Sequence, residues 1–348
     1  MQGKMKVAQM TDLEKVEIVQ RDIPQPKPDE VLVKLEYVGV CGSDLHYYEH
    51  GRIGDFIVKF PFVLGHESGG VVVETGSQVK HLKPGDRVAL EPGKTCGSCE
   101  FCKTGRYNLC PDVIFFATPP VDGVFQEYVA HEAGLCFKLP DNVNTMEGAL
   151  IEPLAVGFHA AITGGAKLGQ TALITGSGCI GLVSMMALKA LGVSRVFVSD
   201  VINKRLEKAK ALGATEVINA AEKDMVKTVK ELSGGKGIDL VIETSGTEIA
   251  AAAGIGALKK GGTLVFVGYS PTGMMNLPIG QALDKELTMK TIFRYRHIYP
   301  LAIDAVAQGK VDIKSIVTNV FEFADIQEAM DKSVHNKAEI VKSVIKIT

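Results

Sequence analysis

A glycine-rich turn at residues 176–181, which reads G-x-G-x-x-G, constrains the fold more than any other feature of this chain. It follows a short β-prone run at 171–175 and opens an apolar helical segment at 182–191. A second β-prone run, 195–199, comes next and ends on Asp200. This order of strand, turn, helix, strand and acid predicts a parallel βαβ unit that binds a dinucleotide.

The residue types of this turn suit a bound pyrophosphate. Gly176, Gly178 and Gly181 allow a tight turn, a close approach of the phosphates and close packing of the helix on the strand. Backbone amides at the helix N-terminus supply the phosphate ligands. Asp200 is placed to bind the adenosine ribose and to repel a 2′-phosphate, so the sequence favours NAD over NADP. Arg205 keeps NADP open as an alternative, although its guanidinium is also suited to lie flat over the adenine.

The pattern of the whole chain predicts two domains of different composition. Residues 1–150 carry short β-branched runs separated by turn signals, which is typical of a β-rich domain. From 151 to 290, strand and helix patterns alternate, which predicts an α/β domain with a doubly wound parallel sheet. Helices are expected at 204–212, 223–232 and 248–258, and strands at 216–219, 238–243 and 262–268. After residue 290 the alternation breaks, with helices expected at 298–308 and 324–332 and strands at 316–323 and 340–347.

Bulk composition excludes several classes of protein. The 348 residues suffice for two domains, and the formal net charge of −2 provides no basic field for nucleic acid or anionic lipid. No apolar run approaches the length of a membrane span. Residues 1–6 lack the apolar core of a secretory signal, so we expect a cytoplasmic protein with no nucleic-acid or membrane partner.

Four cysteines form a cluster with metal-site spacing. Cys96, Cys99, Cys102 and Cys110 read C-x2-C-x2-C-x7-C in a stretch poor in aliphatic residues. Four thiolates on one short loop predict a closed, tetrahedral, structural zinc site. A pair of disulfides and an iron–sulfur cluster are the alternatives, and the absence of signs of an oxidising compartment disfavours the disulfides.

A second candidate metal site combines different ligand types. Cys41 opens the run Cys-Gly-Ser-Asp, and His66 and Glu67 follow Gly65. A thiolate, an imidazole and a carboxylate are all zinc ligands, and a zinc ion with three protein ligands keeps one position open for water or substrate. The sequence therefore predicts a catalytic zinc site here.

Taken together, these motifs resemble those of the zinc-containing medium-chain dehydrogenases over essentially the whole chain. Within that family the sequence is most similar to the polyol dehydrogenases, which act on sorbitol, xylitol and related sugars. The segments that carry the resemblance are 39–48, 51–58, 65–67, 116–120, 152–154 and 293–295. The zinc motifs identify the family, and Ala117-Thr-Pro-Pro with Phe293-Arg-Tyr points to the polyol branch.

The resemblance implies a fold, an activity and an assembly. The fold would be a GroES-like β-rich catalytic domain, residues 1–150 completed by 291–348, with a Rossmann NAD-binding domain at 151–290. The activity would be reversible hydride transfer from a secondary hydroxyl of a sugar alcohol to NAD, giving a ketose. The chain would bind one catalytic and one structural zinc ion, and it would form a homo-oligomer, either a tetramer or a dimer. A zinc dehydrogenase for 2,3-butanediol or threonine is the alternative, and a catalytically silent NAD-binding relative is a third reading.

The resemblance also assigns roles to single residues. Cys41 and His66 are implied ligands of the catalytic zinc, and the third place is open between Glu67 and Glu152, because Glu152 stands where many relatives have a cysteine. Ser43 and His46 would relay the released proton, although a turn serine and a surface histidine are the plainer interpretations. Substrate contacts are implied for Tyr47, Glu152, Arg294 and Tyr295, with Phe115 as an apolar wall, although Arg294 also fits a surface charge. Cofactor contacts are implied for Ile180, Val267, Gly268, Tyr269 and Phe293, beside the residues of the turn.

Overall fold

The computed structural model describes residues 1–270 and 272–348, and the chain divides into two compact units. The first unit comprises Met1–Glu152 and Tyr299–Thr348, and the second comprises Pro153–Ile298. The sequence patterns change near the same places, at residues 150 and 290.

The N-terminal part of the first unit consists of short strands joined by turns, as its β-branched runs predict. Its strands are β1 Lys4–Asp12, β2 Lys15–Asp22, β3 Glu30–Gly39, β4 Arg52–Ile53, β5 Phe56–Ile57, β6 Glu67–Thr75, β7 Arg87–Leu90, β8 Gly93–Lys94, β9 Ile114–Phe115, β10 Tyr128–Glu132 and β11 Cys136–Lys138. Its helices are α1 Gly42–His50 and α2 Glu100–Lys103, and helix α3 Thr145–Thr163 begins in this unit and ends in the second.

The second unit alternates strands with helices. These are β12 Thr171–Thr175, α4 Cys179–Ala190, β13 Arg195–Asp200, α5 Asn203–Ala211, β14 Glu216–Asn219, α6 Met225–Leu232, β15 Ile238–Glu243, α7 Glu248–Ala257, β16 Leu258–Phe266, α8 Ile279–Asp284 and β17 Thr288–Thr291. The first unit then resumes with α9 Tyr299–Ala307, β18 Asn319–Glu322, α10 Ile326–His335 and β19 Ser343–Lys346. No helix in the described part of the chain has both the length and the apolar character needed to cross a membrane.

In the described residues, the second unit contains a six-stranded parallel sheet with the order β14-β13-β12-β15-β16-β17. This is the strand order of a doubly wound dinucleotide-binding fold, and it confirms the predicted fold class. Leu173, Phe197, Val241 and Leu264 are fully buried in its core. Strand β16 begins at Leu258, earlier than the predicted residue 262, because its first residue already pairs with β15 across a bulge.

The first unit is built on a seven-stranded sheet, counted over the described residues. Strand β3 is its centre: one edge pairs with β6, and the other pairs first with β10 and then with β19. Val33, Leu35, Tyr48 and Phe125 are among the buried side chains of its core. Burying an aliphatic or aromatic side chain of this size contributes about 1.5–3 kcal/mol, so the core holds β3 firmly in place.

The register of this sheet brings three distant segments together at the end of β3. Gly39, the last residue of β3, lies opposite Glu67 of β6 on one side and Val344 of β19 on the other. The residues that follow Gly39 and those that precede Glu67 therefore meet at the same place. Both include predicted metal ligands, so the sheet positions the candidate site.

Candidate metal and dinucleotide sites

The first metal site forms where β3 ends and β6 begins. Cys41 is the residue before helix α1, and His66 directly precedes β6, whose first residue is Glu67. The ligand atoms of these three side chains lie within 4.8 Å of one another. His66 and Glu67 are buried and Cys41 is half-buried.

This group fits zinc. Its ligand atoms have nearly the spacing found around one Zn²⁺ ion, whose bonds to nitrogen, oxygen and sulfur are about 2.0–2.3 Å long. A carboxylate, an imidazole and a thiol grouped in this way are donor types that Zn²⁺ binds in proteins. Three protein ligands would leave one position of a tetrahedral ion open, which is the arrangement of a catalytic site.

Asp44 orients the imidazole ligand. It is fully buried in α1, and its Oδ1 lies 3.5 Å from Nδ1 of His66 and accepts a 2.9 Å hydrogen bond from the amide of Gly65. Its Oδ2 accepts a 3.0 Å hydrogen bond from the amide of Cys41. A carboxylate on the second ring nitrogen fixes the orientation of a metal-binding histidine. Asp44 thus holds the backbone of one ligand and the ring of another.

Electrostatic coupling accompanies this contact. Burial alone would raise the pKa of Asp44, but the imidazole of His66 and the two backbone amides outweigh it, so the pKa is lowered. Burial acts to lower the pKa of His66, but the charges of Asp44 and Cys41 hold that pKa well above its ordinary value. Since a metal needs the neutral imidazole, protons compete with the metal at this histidine as the pH falls.

Other predicted active-site residues lie in the same unit. The buried ring of Phe115 has its centroid 5.8 Å from that of His66, consistent with an apolar wall. Glu152 is buried in α3 but is not a member of the three-ligand group among the described residues. Its role at the metal stays a prediction.

Ser43, His46 and Tyr47 all lie on helix α1, directly after Cys41. Tyr47 is buried, with its ring 6.5 Å from that of Phe62 in an edge-on contact. The ring of His46 lies 4.7 Å from that of His50, and burial, followed by this second imidazole, lowers the pKa of His46. Their roles in proton transfer and substrate binding stay predictions.

Glu91, between β7 and β8, is a buried acid that no sequence motif indicates. Its side chain accepts a 2.8 Å hydrogen bond from the hydroxyl of Tyr107. Burial, together with the charge of Glu152, raises the pKa of Glu91 to about 7, against the effect of the Tyr107 hydrogen bond. No local motif marks this residue, because its neighbours come from distant parts of the chain.

The structure also brings the four cysteines of the second metal site together. Cys96, Cys99, Cys102 and Cys110 have ligand atoms within 4.8 Å of one another. The Sγ of Cys96 lies 3.5 Å from that of Cys110 and 4.0 Å from that of Cys102. These distances far exceed the about 2.05 Å of a disulfide and are close to the about 3.8 Å expected between thiolates on one zinc ion. The cluster therefore fits structural zinc.

Backbone amides favour thiolates in this cluster. Amides of Ser98 and Cys99, with further hydrogen bonds, lower the pKa of Cys96 to about 6. The amide of Cys102 donates to the sulfur of Cys99 at 3.5 Å, and the amide of Cys96 donates to the sulfur of Cys110 at 3.5 Å. Against the amide of Cys102, burial and the neighbouring thiols raise the pKa of Cys99 to about 11, and burial raises that of Cys110. Four thiolates at once therefore need a bound cation.

The glycine-rich turn lies between β12 and the N-terminus of α4 in the second unit. Gly176 has φ of +95°, and a Cβ atom on Gly181 would overlap the carbonyl oxygen of Gly176. Both positions therefore require glycine. Ile180 lies in the first turn of α4, so its amide is among those free to bind a phosphate.

Asp200 ends β13 and is rigidly held. Its Oδ2 accepts hydrogen bonds from the amide and hydroxyl of Ser177 at 2.7 and 2.9 Å, and its Oδ1 accepts from the amides of Val201 and Ile202 at 2.8 and 3.0 Å. Asp200 lines a cavity of about 480 Å³, together with Gly176, Ser199, Val201, Lys223, Ser245, Thr247 and Ile249. The Nη1 of Arg205 lies beside Gly178, 3.8 Å from where a Cβ would be. This cavity fits a nucleoside held by the turn and the acid.

The remaining predicted cofactor and substrate residues also lie in the second unit. Val267 and Gly268 follow β16, and their amides donate to the carbonyl of Glu243 at 2.8 and 3.0 Å. Tyr269 is 70% exposed, which leaves its ring accessible. In the 293–295 segment, the side chain of Phe293 is half exposed and that of Tyr295 is buried. The Cζ of Arg294 lies 4.7 Å from the centroid of the Phe293 ring. Their individual roles stay predictions.

Two families match the chain, one in each part. Residues 27–141 match the alcohol dehydrogenase GroES-like domain, and residues 179–308 match the zinc-binding dehydrogenase family. The chain is 48% identical to the sorbitol dehydrogenase of Bos taurus, over 89% of this chain and 88% of that protein. It is 43% identical to YdjJ of Escherichia coli, an uncharacterized zinc-type alcohol dehydrogenase-like protein, over 96% of both chains.

A solved structure agrees with these matches. An Escherichia coli oxidoreductase/dehydrogenase of unknown specificity superposes with a TM-score of 0.96 at 42% identity, over 99% of this chain and 100% of that one. The predictions of a GroES-like and a Rossmann domain, and of a zinc-dependent dehydrogenase, are thereby confirmed. The chain belongs to the zinc-binding medium-chain dehydrogenases.

Proposed function

We propose that this enzyme oxidises a secondary hydroxyl of a sugar alcohol such as sorbitol or xylitol to a ketose, reversibly and with NAD⁺ as the acceptor. The three-ligand group of Cys41, His66 and Glu67 carries the proposal, together with the 48% identity to a sorbitol dehydrogenase. When bound, zinc supplies a Lewis acid with one open position, and the nicotinamide supplies the hydride acceptor.

The protein's own residues would prepare the hydroxyl for this reaction. Asp44 fixes the ring of His66, and Phe115 packs beside it and excludes water from one side. Ser43 and His46 would carry the released proton away along α1. The lowered pKa of His46 keeps its ring neutral near pH 7, so it is able to accept that proton.

Selection of a polyol would rest on polar side chains. A site built to hydrogen-bond a row of hydroxyls discriminates against analogues that lack them, because its own polar groups would lose their partners. We assign this role to Tyr47, Glu152, Arg294 and Tyr295. Phe293, Gly268 and Tyr269 are the residues we assign to the nicotinamide.

We propose NAD rather than NADP because of Asp200. Its carboxylate is fixed by four hydrogen-bond donors, so it cannot swing away from an incoming 2′-phosphate without breaking them. The resulting charge repulsion favours the unphosphorylated ribose.

Initial rates with sorbitol, xylitol, 2,3-butanediol and threonine, each with NAD⁺ and NADP⁺, test the proposal. We expect the highest kcat/KM for a polyol with NAD⁺. Strong activity with butanediol or threonine and none with either polyol would contradict the polyol assignment. A preference for NADP⁺ would contradict the role given to Asp200 and leave the substrate class unaffected.

We also propose a cytoplasmic homo-oligomer. Seven free thiols, four of them in a metal cluster, suit a reducing compartment. Strand β17 ends the strand order of the parallel sheet, and its four residues are exposed. Nearby, Ile279 and Leu283 of α8 are 49% and 74% exposed. An exposed sheet edge with apolar side chains beside it supports pairing with a second copy.

A further inference from the structure

A lysine from the C-terminal segment is buried at the metal group. Lys342, directly before β19, has only 2% of its side chain exposed. Its backbone is fixed by Thr318, whose amide donates to the Lys342 carbonyl at 2.9 Å and whose hydroxyl oxygen accepts from the Lys342 amide at 3.3 Å. Fully buried lysines are rare unless they are paired with an acid.

The acid in this case is a metal ligand. The ammonium of Lys342 forms an ion pair with Oε2 of Glu67 and donates a 2.9 Å hydrogen bond to the carbonyl of Val40. Gly39 leaves the space for this pair, because a Cβ there would overlap Glu67 Oε2 and lie 3.1 Å from Cε of Lys342. The lysine therefore competes directly with any metal for the charge of the Glu67 carboxylate.

A count of formal charges shows what the lysine contributes. With the thiolate of Cys41 and the carboxylates of Asp44 and Glu67, these groups carry three negative charges. A Zn²⁺ ion supplies two positive charges, and Lys342 supplies the third. Unbalanced charge is costly in a buried site, so the lysine completes a neutral arrangement around the metal.

We propose that Lys342 is a positioning residue that restrains Glu67 and keeps it a weak metal ligand, so that the metal remains electrophilic. A cation beside Glu67 withdraws charge that this carboxylate would otherwise donate to zinc, and it also repels the zinc ion. Lys342 thus lowers the affinity of the site for zinc and makes the bound zinc a stronger Lewis acid. This role applies to any alcohol substrate and does not depend on the polyol assignment.

The test compares metal affinity with turnover in Lys342→Met, which removes the charge and keeps most of the side-chain length. Zinc affinity of the site formed by Cys41, His66 and Glu67 is measured by competition with a chromogenic chelator. We expect about tenfold tighter zinc binding, the scale on which neighbours of ligands act, together with a lower kcat. The visible absorption bands of the Co²⁺-substituted protein should shift, because Glu67 becomes a stronger ligand. Lys342→Arg should restore the wild-type bands and affinity.

Two further variants make the result specific. Lys346→Met removes a half-exposed lysine from the adjoining strand and should change neither affinity nor bands. In a Glu67→Gln background, Lys342→Met should no longer tighten zinc binding, because the carboxylate that it releases is absent. Loss of zinc in Lys342→Met, or unchanged affinity and bands, would overturn the proposal. The first result would make the lysine a structural support for Glu67, and the second would show that the pair is not coupled to the metal.

Discussion

At the scale of single residues, three buried acids of the first unit differ in their partners. Asp44 is fixed by two amides and the ring of His66, whereas Glu67 is paired with Lys342 and belongs to the three-ligand group. Glu152 is buried but outside that group among the described residues. Burial alone therefore does not define a ligand; position relative to Cys41 and His66 does.

This difference predicts opposite outcomes for two similar substitutions. Glu67→Gln should weaken zinc binding at the catalytic site by about tenfold or more, because an amide is a poorer ligand than a carboxylate. Glu152→Gln should keep that zinc and lose turnover through altered contacts with substrate. Zinc content after dialysis against a chelator distinguishes the two. Zinc loss from Glu152→Gln with retention by Glu67→Gln would reverse the assignment.

Single residues also show where prediction from sequence succeeds and fails. Cys41, His66 and the four-cysteine cluster were identifiable because each motif lies on one short segment with characteristic spacing. Lys342 was not, because its partners are distant: it contacts Val40 across 302 positions of the chain. Asp44 entered the prediction only as the last residue of the Cys-Gly-Ser-Asp run. An acid three residues after a helix N-cap is nevertheless a known signal for a hydrogen bond to the N-cap amide.

At the scale of elements, a short strand pair connects the cysteine cluster to the catalytic group. The cluster lies between β8 and β9, which pair as Gly93 with Phe115, and Phe115 packs against His66. Tyr107, within the cluster segment, bonds Glu91 just before β8. The conformation of the cysteine segment and the position of Phe115 are therefore linked, because both depend on the short pairing of β8 with β9.

Glu91 gives these elements a pH dependence with a definite sign. Its folded pKa of about 7 lies above the ordinary glutamate value of 4.5, so the folded state binds more protons than the unfolded state between these values. Stability therefore falls as the pH rises through this window, and the loss is complete above pH 7. Glu91→Gln removes the effect and keeps an acceptor for Tyr107.

We expect Glu91→Gln to be more stable than wild type by about 1–3 kcal/mol at pH 8 and by much less at pH 5. Thermal unfolding of both proteins at the two pH values measures this difference. Glu132→Gln, at a half-exposed acid in the same unit, is the control and should show no comparable increase. A Glu91→Gln variant less stable than wild type at pH 8 would show that its carboxylate is a favourable partner.

The order of elements was more predictable than their ends. The alternation at 151–290 identified the parallel sheet because each strand and helix has its own period of apolar residues. The start of β16 was missed because pairing of Leu258 with Ile238 is a tertiary event. In the last 50 residues, short 3₁₀ turns at Ile313–Ile316 and Phe323–Asp325 flank β18 and shorten the predicted strand.

For the whole molecule, the exposed edge of the parallel sheet predicts assembly. Light scattering should give a mass of at least twice the 37.3 kDa of one chain. Met289→Lys places a charge on β17 and should shift the mass towards the monomer, because a buried unpaired lysine opposes edge pairing. Val320→Lys, at an exposed position of the edge strand β18, is the matched control and should leave the mass unchanged. A monomeric wild-type chain would contradict the assembly.

The central claim is that Cys41, His66 and Glu67 hold a zinc ion essential for turnover, in addition to the zinc held by the four cysteines. Elemental analysis of the purified chain, alongside turnover, tests it in wild type, Cys41→Ser and the control Cys136→Ala, which alters a core cysteine outside both groups. We predict two zinc ions per chain for wild type and the control. Cys41→Ser should retain one, with kcat lower by about 10³-fold, since Lewis-acid stabilisation is worth several kcal/mol. A Cys41→Ser chain with two zinc ions and full turnover would contradict the account.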